Sequence, residues 1–256
     1  MLTNYGKLVI VLLFVSFIVS CKKKTSDNNP PTPQHETLDD GLMAYYPFTG
    51  NAQDKTSKNS AGTISNAMLT TDAKGTSNSA YAFNGTDSYI AITPGDSIRK
   101  IRTVTIAVKI YSESFNNSNF IFLWGNNSSG YPKSKYLFNF SAVPTQSSAF
   151  FGVEEPSYCY LSHLGTASTF VDITQNTWHT LIGIFNGTSI KMYLDGNLKD
   201  EQFVSYSFTT VCTDDQFILL GRPKTDYYTS FKGKIDELRI YNRELTQQEI
   251  TRLAAL

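Results

Sequence analysis

The sequence has few of the residues on which catalytic and metal sites usually depend. It contains only three histidines and three cysteines among 256 residues, and no two histidines have a metal-ligand spacing such as His-x-x-x-His. No serine or cysteine lies in a recognisable nucleophile elbow. Acidic and basic residues balance at 22 each, so the chain has no basic field and nucleic acid is not an expected partner.

Long apolar runs are also absent. The longest, from Leu8 to Val19, has twelve residues, which suits a secretory signal and is too short for a membrane-spanning helix of roughly 20 residues. It ends in Ile18-Val19-Ser20-Cys21, which resembles a bacterial lipobox, whose cysteine becomes the first mature residue and carries lipid. We therefore expect residues 1–20 to be a lipoprotein signal peptide and Cys21 to be lipidated; an ordinary cleaved signal is the alternative.

The segment after Cys21 is poor in aliphatic residues. Residues 25–40 contain three prolines and one aliphatic residue, Leu38, so we expect residues 21–40 to form a disordered tether. The protein would then be a membrane-anchored lipoprotein, periplasmic or on the cell surface at the outer membrane. Residues 41–256 have the size of one domain. Outside the cytoplasm, Cys159 and Cys212 either form a disulfide or lie apart as small core residues.

The composition of this domain favours strands. The chain has 17 Phe and 15 Tyr, whereas charged residues make up 17%, as is typical of β-rich structure. Val104, Ile106 and Val108 alternate with Thr, Ala and Lys, which is the period of a strand with one buried face. The predicted strands are 42–48, 80–85, 88–92, 103–111, 119–125, 135–140, 149–153, 158–164, 177–185, 189–196, 198–204, 217–221 and 233–241.

One helix is expected at the end of the sequence. Thr246 lies three residues before Glu249, which is the spacing of a capping box. Leu245, Ile250 and Leu253 would form the apolar stripe of this helix. A helix this short should pack on the sheets rather than stand alone.

Several stretches resemble laminin G-like jelly rolls of the concanavalin A-like lectin/glucanase superfamily. GLMAYYPFTGNAQDKTSKNSAGT (41–63) and SAYAFNGTDSYIAI (79–92) are similar to the opening of these domains. GKIDELRIYNRELTQQEI (233–250) is similar to their closing strand and helix, and TWHTLIGIFNGTSIKMYLDG (177–196) to their central hairpin. The strand series and the resemblance together predict an all-β fold, a two-sheet antiparallel jelly-roll sandwich with a short C-terminal helix.

The resemblance also implies a structural calcium ion where the first and last strands lie close together. Asp54 and Asp236 occupy the matching positions, and Ca²⁺ takes six to eight oxygen ligands. This sequence departs from the family, because SKNSAG (57–62) stands where the usual loop is like SGNGNNG. Lys58 thereby brings a positive charge into a loop that would need oxygens. Solvated carboxylates without metal are the alternative.

Endoglucanases of the same superfamily use carboxylates clustered on one strand as Glu-x-Asp-x-Glu or a close variant. No such stretch occurs here. Glu154-Glu155, Asp214-Asp215 and Asp236-Glu237 are adjacent pairs, and a regular strand points adjacent side chains to opposite faces. We therefore expect no enzymatic activity. Separated carboxylates that converge in space would make the protein a divergent glycoside hydrolase, which is the lesser alternative.

Two polar loops are predicted to bind carbohydrate. WGNNSSGYPKSKY (124–136) carries Trp124, Tyr131 and Tyr136, and RPKTDYYTSF (222–231) carries Tyr227 and Tyr228. Aromatic rings beside Asn and Ser suit the apolar face and the hydroxyl rim of a sugar. The expected ligand is a polysaccharide or the glycan of a glycoprotein. A protein-binding or adhesion module on the cell surface is the alternative function.

Trp178 and His179 are expected to have structural roles. Trp178 is predicted to lie in the core. His179 follows it at a position where the resembling domains commonly carry a structural Trp-His pair.

Overall fold

A computed structural model describes residues 37–114, 119–126, 133–143, 146–153, 166–169, 173–203, 216–222 and 229–256. These residues form two sheets of eight strands each, and every pairing is antiparallel except one. Sheet A consists of β1 (Leu42–Tyr46), β3 (Met68–Thr70), β4 (Ala80–Asn84), β6 (Val104–Ser112), β11 (Trp178–Phe185), β12 (Ser189–Leu194), β13 (Asn197–Phe203) and β16 (Lys232–Tyr241). Its order is β13-β12-β11-β6-β16-β4-β3, and β1 also pairs with β16.

Sheet B lies at the other side of the core. It consists of β2 (Thr63–Ser65), β5 (Tyr89–Ile92), β7 (Asn119–Asn126), β8 (Lys133–Val143), β9 (Gln146–Val153), β10 (Thr166–Thr169), β14 (Gln216–Leu220) and β15 (Thr229–Ser230). Its order is β10-β9-β8-β7-β14-β5-β2, and β15 pairs with β7 in parallel. The two helices are α1 (Asp96–Arg99) and α2 (Gln247–Ala255). The predicted two-sheet antiparallel sandwich with a short C-terminal helix is confirmed.

The alternation predicted for β6 is confirmed on its core face, but the expectation of a single buried face is wrong, because Thr105, Ala107 and Lys109 on the opposite face are also buried. Val104, Ile106 and Val108 lie in the core between the sheets together with Phe122 and Ile218 of sheet B. The sheets approach closely at Gly183 in β11, where an added Cβ would lie 2.5 Å from the Phe151 ring. The side chains of β6 that alternate with the core residues point to the outer face of sheet A.

Helix α2 covers part of that outer face. Ile250 and Leu253 are buried against Ala107 and Ile182, as predicted, and Leu245 is buried with them but precedes the helix instead of belonging to its stripe. The predicted capping box is present, because Thr246 Oγ1 accepts from the backbone N–H of Glu249 at 3.3 Å and Glu249 Oε2 accepts from the backbone N–H of Thr246 at 2.8 Å.

The N-terminal edge of the domain includes residues that the sequence assigns to the tether. Leu38 packs against the cluster beneath α2, and the backbone carbonyl of Asp39 accepts from the N–H of Leu42 at 3.1 Å. Residues 1–36, and with them the signal peptide and Cys21, lie outside the described residues, as do Cys159, Cys212 and the predicted strand 158–164. Within the described ranges, no helix has the length and apolarity needed to cross a membrane.

Candidate functional site

Trp124 does not belong to a binding loop. Strand β7 continues to Asn126, and the side chain of Trp124 is fully buried in the core between the sheets. The prediction that Trp124 contacts a sugar is therefore wrong. Its indole is used to fill the sandwich, which the sequence could not show because the polar loop begins only two residues later.

Among the other aromatic residues of the predicted sites, Tyr136 lies within strand β8 rather than in the predicted loop. The backbone of Tyr136 in β8 pairs with that of Trp124, and β8 begins opposite Asn126. β15, which follows Tyr227 and Tyr228, instead begins opposite Asn119. These two ends of β7 are seven residues apart, or about 23 Å, so β8 and β15 begin at opposite ends of β7. Tyr131, Tyr227 and Tyr228 lie outside the described residues.

Asp54 organises the loop after β1 through hydrogen bonds. Its Oδ1 accepts from the backbone N–H groups of Tyr45 at 2.9 Å and Thr56 at 3.0 Å. Its Oδ2 accepts from Thr56 Oγ1 at 2.6 Å, from Asn59 Nδ2 at 2.8 Å, and from the backbone N–H groups of Asn59 and Lys58 at 3.0 and 3.2 Å. Burial pushes the pKa of this carboxyl up, but the hydrogen bonds outweigh burial and the pKa is lowered.

These contacts do not fit a calcium site. Six donors surround Asp54 where a metal would need oxygens, and a carboxylate offers only about four lone-pair sites. The Lys58 ammonium donates to the carbonyl oxygen of Leu42 at 2.6 Å, so a side-chain cation binds the strand at the junction. Asp236 lies within β16 and accepts from the backbone N–H of Glu237 at 2.8 Å. Among the described residues, no group of three or more His, Cys, Asp or Glu could hold a metal ion.

A different candidate site lies on the outer face of sheet A, on the half that carries polar side chains. Register places six residues in two neighbouring rows, and we call this area the polar half of sheet A. The first row is Trp178, Tyr111 and Lys234, and the second is Thr180, Lys109 and Asp236. Successive outward side chains of a strand lie about 7 Å apart, so an oligosaccharide that stacks on the first row would extend over the second row, whose Thr180, Lys109 and Asp236 are largely buried.

The first row is an aromatic platform. The rings of Tyr111 and Trp178 have centroids 5.7 Å apart and a tilt of 57°. Lys234 Nζ lies 4.8 Å from the centroid of the Tyr111 ring. All three residues are partly exposed, so the prediction that Trp178 belongs to the core is wrong. Trp178 begins β11 on the outer face, and α2 packs further along that strand, against Ile182 and Ile184.

A β-bulge shapes the second row. The pairing of β16 with β6 shifts between Asp236 and Arg239, and Glu237 has a left-handed φ of 52°. The bulge turns Glu237 to the same face as Asp236, because Glu237 accepts from Tyr45 at 3.0 Å and from Arg239 at 2.8 Å on the outer side. The expectation that these adjacent acids point to opposite faces is wrong for this reason. Non-glycine residues with positive φ and bulges are both frequent at functional sites.

The charges of the second row perturb one another. Burial, together with the charge of Glu237, raises the pKa of Asp236 to about 7. Burial lowers the pKa of Lys109, although Glu237 and Asp236 oppose this change. Lys109 lines a small pocket beside the end of α2, here called the Lys109 pocket. The pocket is lined by Ala107, Val108, Lys109, Thr180, Glu237, Arg239, Leu253 and Leu256.

His179 has a structural role, as predicted. The backbone N–H of Thr174 donates to Nε2 at 3.3 Å, so Nδ1 carries the hydrogen and donates to Asp195 Oδ2 at 2.7 Å. Asp195 Oδ1 accepts from the backbone N–H of Thr180 at 2.7 Å. Burial raises the pKa of Asp195, but the hydrogen bonds from His179 and Thr180 lower it by more. Both ring nitrogens are used, which leaves His179 without a free base for catalysis.

Sequence reasoning missed the polar half of sheet A for two reasons. Tyr111 and Lys109 lie on the side of β6 that alternation assigns to solvent, so nothing in the pattern distinguishes them from other surface residues. The bulge at Glu237 contains no glycine, the residue that often indicates a bulge in a sequence. One signal was present: Lys109 stands between apolar residues on a strand, and its row brings it beside the acidic pair of the closing strand.

The sandwich is similar to several solved structures. Domain 4 of an extracellular arabinanase from Geobacillus stearothermophilus, solved in complex with arabinotriose, has a TM-score of 0.60 at 22% identity, over 83% of this chain and 98% of that one. The binding domain of botulinum neurotoxin DC, in complex with rat synaptotagmin II, has a TM-score of 0.63 at 14% identity, over 86% and 52%. A sialidase from Trypanosoma rangeli has a TM-score of 0.58 at 13% identity, over 84% and 33%.

At these identities the structural matches show the fold alone. The chain spans almost the whole arabinanase domain but only about half of the neurotoxin domain and a third of the sialidase. A search of curated proteins finds no significant match. A family model described as the concanavalin A-like lectin/glucanases superfamily matches residues 84–251, which is more than half of the sequence. The chain therefore belongs to the concanavalin A-like lectin/glucanases superfamily.

Proposed function

We propose that this protein binds carbohydrate without hydrolysing it, through the polar half of sheet A. The observation that carries the proposal is the partly exposed Tyr111–Trp178 pair beside a row of hydrogen-bonding groups. An aromatic face offers apolar contact to a sugar ring, and neighbouring polar groups fix its orientation. The arabinanase domain that this chain resembles was solved with arabinotriose bound, which supports a glycan as the class of ligand.

We also propose that the domain is displayed from a membrane by a lipid on Cys21, on the periplasmic side or at the cell surface. The lipobox-like Ile18-Val19-Ser20-Cys21 after a short apolar run supports this, and several acyl chains would give stable anchoring. The test compares Cys21→Ser with wild type by cell fractionation. The variant should move to the soluble fraction, and a variant that stays membrane-bound like wild type contradicts the anchor.

A glycan array tests the binding proposal. The tag-free domain is applied as wild type and as Trp178→Ala, with Phe203→Ala as the matched control, because Phe203 is an exposed aromatic residue, at 84%, on the edge strand β13. We expect Trp178→Ala to lose most of the signal and Phe203→Ala to keep it. Equal signals from wild type and Trp178→Ala would place the site elsewhere. The predicted loops 124–136 and 222–231 would then be the candidates. Tyr131→Ala tests the first loop, and Tyr227→Ala combined with Tyr228→Ala tests the second.

Two other functions remain candidates. A protein-binding module is favoured by the similarity to a neurotoxin domain solved with synaptotagmin II, and a wild-type domain that binds proteins but no arrayed glycan would support it. A divergent hydrolase is favoured by the bulge that places Asp236 and Glu237 on one face. However, Asp236 is only 4% exposed and Glu237 is held by Arg239 and Tyr45. Reducing-sugar release from β-glucan or arabinan would overturn the non-catalytic assignment.

A further inference from the structure

The side chain of Lys109 is largely buried, and its ammonium group has no direct partner among the described residues. Lys109 is 8% exposed, and among the described residues no hydrogen bond or ion pair reaches its Nζ. A buried charge without a partner is costly, so most buried lysines are paired. Lys109 instead borders the Lys109 pocket, where a ligand could reach it.

The groups around this ammonium define its electrostatic setting. Glu237 and Asp236 on β16 and Asp195 at the β12–β13 turn attract it, whereas Lys74 in the β3–β4 loop repels it. None of the three carboxylates makes an ion pair with it. Glu237 is occupied by Arg239 at 2.8 Å and Tyr45 at 3.0 Å, and Asp195 by His179 at 2.7 Å.

This setting favours a neutral polar ligand over an anion. A phosphate or uronate placed at Lys109 would also face the carboxylate of Glu237, and like charges at close range repel each other. A hydroxyl group both donates and accepts, so it can accept from the ammonium and donate to a carboxylate or to Thr180 Oγ1. Adjacent hydroxyls of a sugar ring offer several such groups in a fixed geometry.

We propose that the Lys109 pocket receives one hydroxyl group of a neutral sugar residue, next to the residue of the same oligosaccharide that stacks on Trp178. This rests on the proposed carbohydrate-binding function and adds to it a second contact and a ligand charge. The rows of Trp178 and Lys109 are neighbours on one face, so both contacts lie within the reach of one short oligosaccharide. Glu237 disfavours an anionic ligand, and Lys109 supplies the hydrogen-bond donor for the hydroxyl group.

Calorimetric titration of two variants tests this inference. Lys109→Met keeps the length of the side chain and removes the ammonium, and Thr180→Val keeps the shape of Thr180 and removes its hydroxyl. Lys199→Met is the matched control, because Lys199 is an exposed lysine on the edge strand β13. The probes are the neutral trisaccharide that wild type retains best among arabinotriose, xylotriose and cellotriose, and trigalacturonate as the acidic counterpart. Thermal unfolding of every variant is measured in parallel.

We expect Lys109→Met to raise the Kd for the neutral trisaccharide about tenfold or more, since hydrogen bonds to charged groups are strong. Thr180→Val should raise it by less, and Lys199→Met should leave it unchanged. A Kd that Lys109→Met does not change, while wild type binds through Trp178, overturns the inference and leaves the proposed function standing. Tighter binding of trigalacturonate than of the neutral trisaccharide overturns the neutral assignment. Wild-type protein that binds none of the sugars contradicts the proposed function itself.

Discussion

Glu249 should be one of the most sensitive positions for stability, because it joins α2 to the connection between β16 and the helix. Its side chain is 1% exposed and makes a bidentate ion pair with Arg243, with Nη2–Oε1 and Nη1–Oε2 distances of 2.6 and 2.9 Å. Glu249→Gln replaces one carboxylate oxygen by an amide donor that faces the guanidinium donors. Removing one partner of a buried pair costs about 3–5 kcal/mol. Arg243 keeps its bond to the Asp40 carbonyl at 3.0 Å, so we expect a loss of about 3 kcal/mol.

Urea denaturation followed by tryptophan fluorescence measures this loss, and the midpoint of thermal unfolding should fall by roughly 6–10 °C for a domain of this size. Gln248→Ala, at the exposed neighbouring position, is the control and should change stability by less than about 0.5 kcal/mol. Burial raises the pKa of Glu249, but hydrogen bonds from Arg243 and Thr246 lower it by more. Its stabilising contribution is therefore present above an unfolded pKa of about 4.3 and is lost as the pH falls through the lower folded pKa. A Glu249→Gln variant as stable as wild type at pH 7 would refute this reasoning.

Three more predictions concern other parts of the fold. Burial and Glu237 raise the pKa of Asp236 to about 7, so the native state holds an extra proton between about pH 4 and 7 and loses stability as the pH rises through that window. Asp236→Asn should therefore raise the melting temperature more at pH 8 than at pH 5. An equal change at both pH values would contradict this. Gly183→Ala should lower stability by about 1–3 kcal/mol in urea titrations because of overpacking, since an added Cβ lies 2.5 Å from the Phe151 ring; unchanged stability would show that the ring moves freely. EDTA and added Ca²⁺ should leave the melting temperature unchanged, because six hydrogen-bond donors already surround the Asp54 carboxylate. A rise of several degrees with Ca²⁺ would show that the loop after β1 rearranges around the metal.

Much of the fold follows from local pattern in the sequence. The alternation of Val104, Ile106 and Val108 located the core face of β6, and Thr246 with Glu249 located the start of α2. Such signals are local, because side-chain period and capping depend on neighbours in sequence. The short strands β2, β3 and β15 have only two or three residues each, which is too few to show a period.

The candidate site depended on contacts that sequence spacing does not contain. Trp124 and Trp178 both stand at ends of predicted strands, and the sequence assigned their roles the wrong way round. Which of them is buried is decided by the partner layer: Trp124 faces the other sheet, whereas Trp178 lies on the outer face away from Ile182, against which α2 packs. Likewise, the bulge at Glu237 appears only when β16 is paired with β6.

The most direct test of the account measures the fluorescence of Trp178 in a variant where it is the only tryptophan. The chain has two tryptophans, so Trp124→Phe, a change within the core, leaves only the one on the aromatic platform. Addition of an oligosaccharide that the domain retains on the array should shift the emission of Trp178 and protect it from acrylamide quenching. Both changes should saturate with the Kd found by calorimetry. Calorimetric binding without any change in Trp178 emission or quenching would contradict a glycan site on the polar half of sheet A.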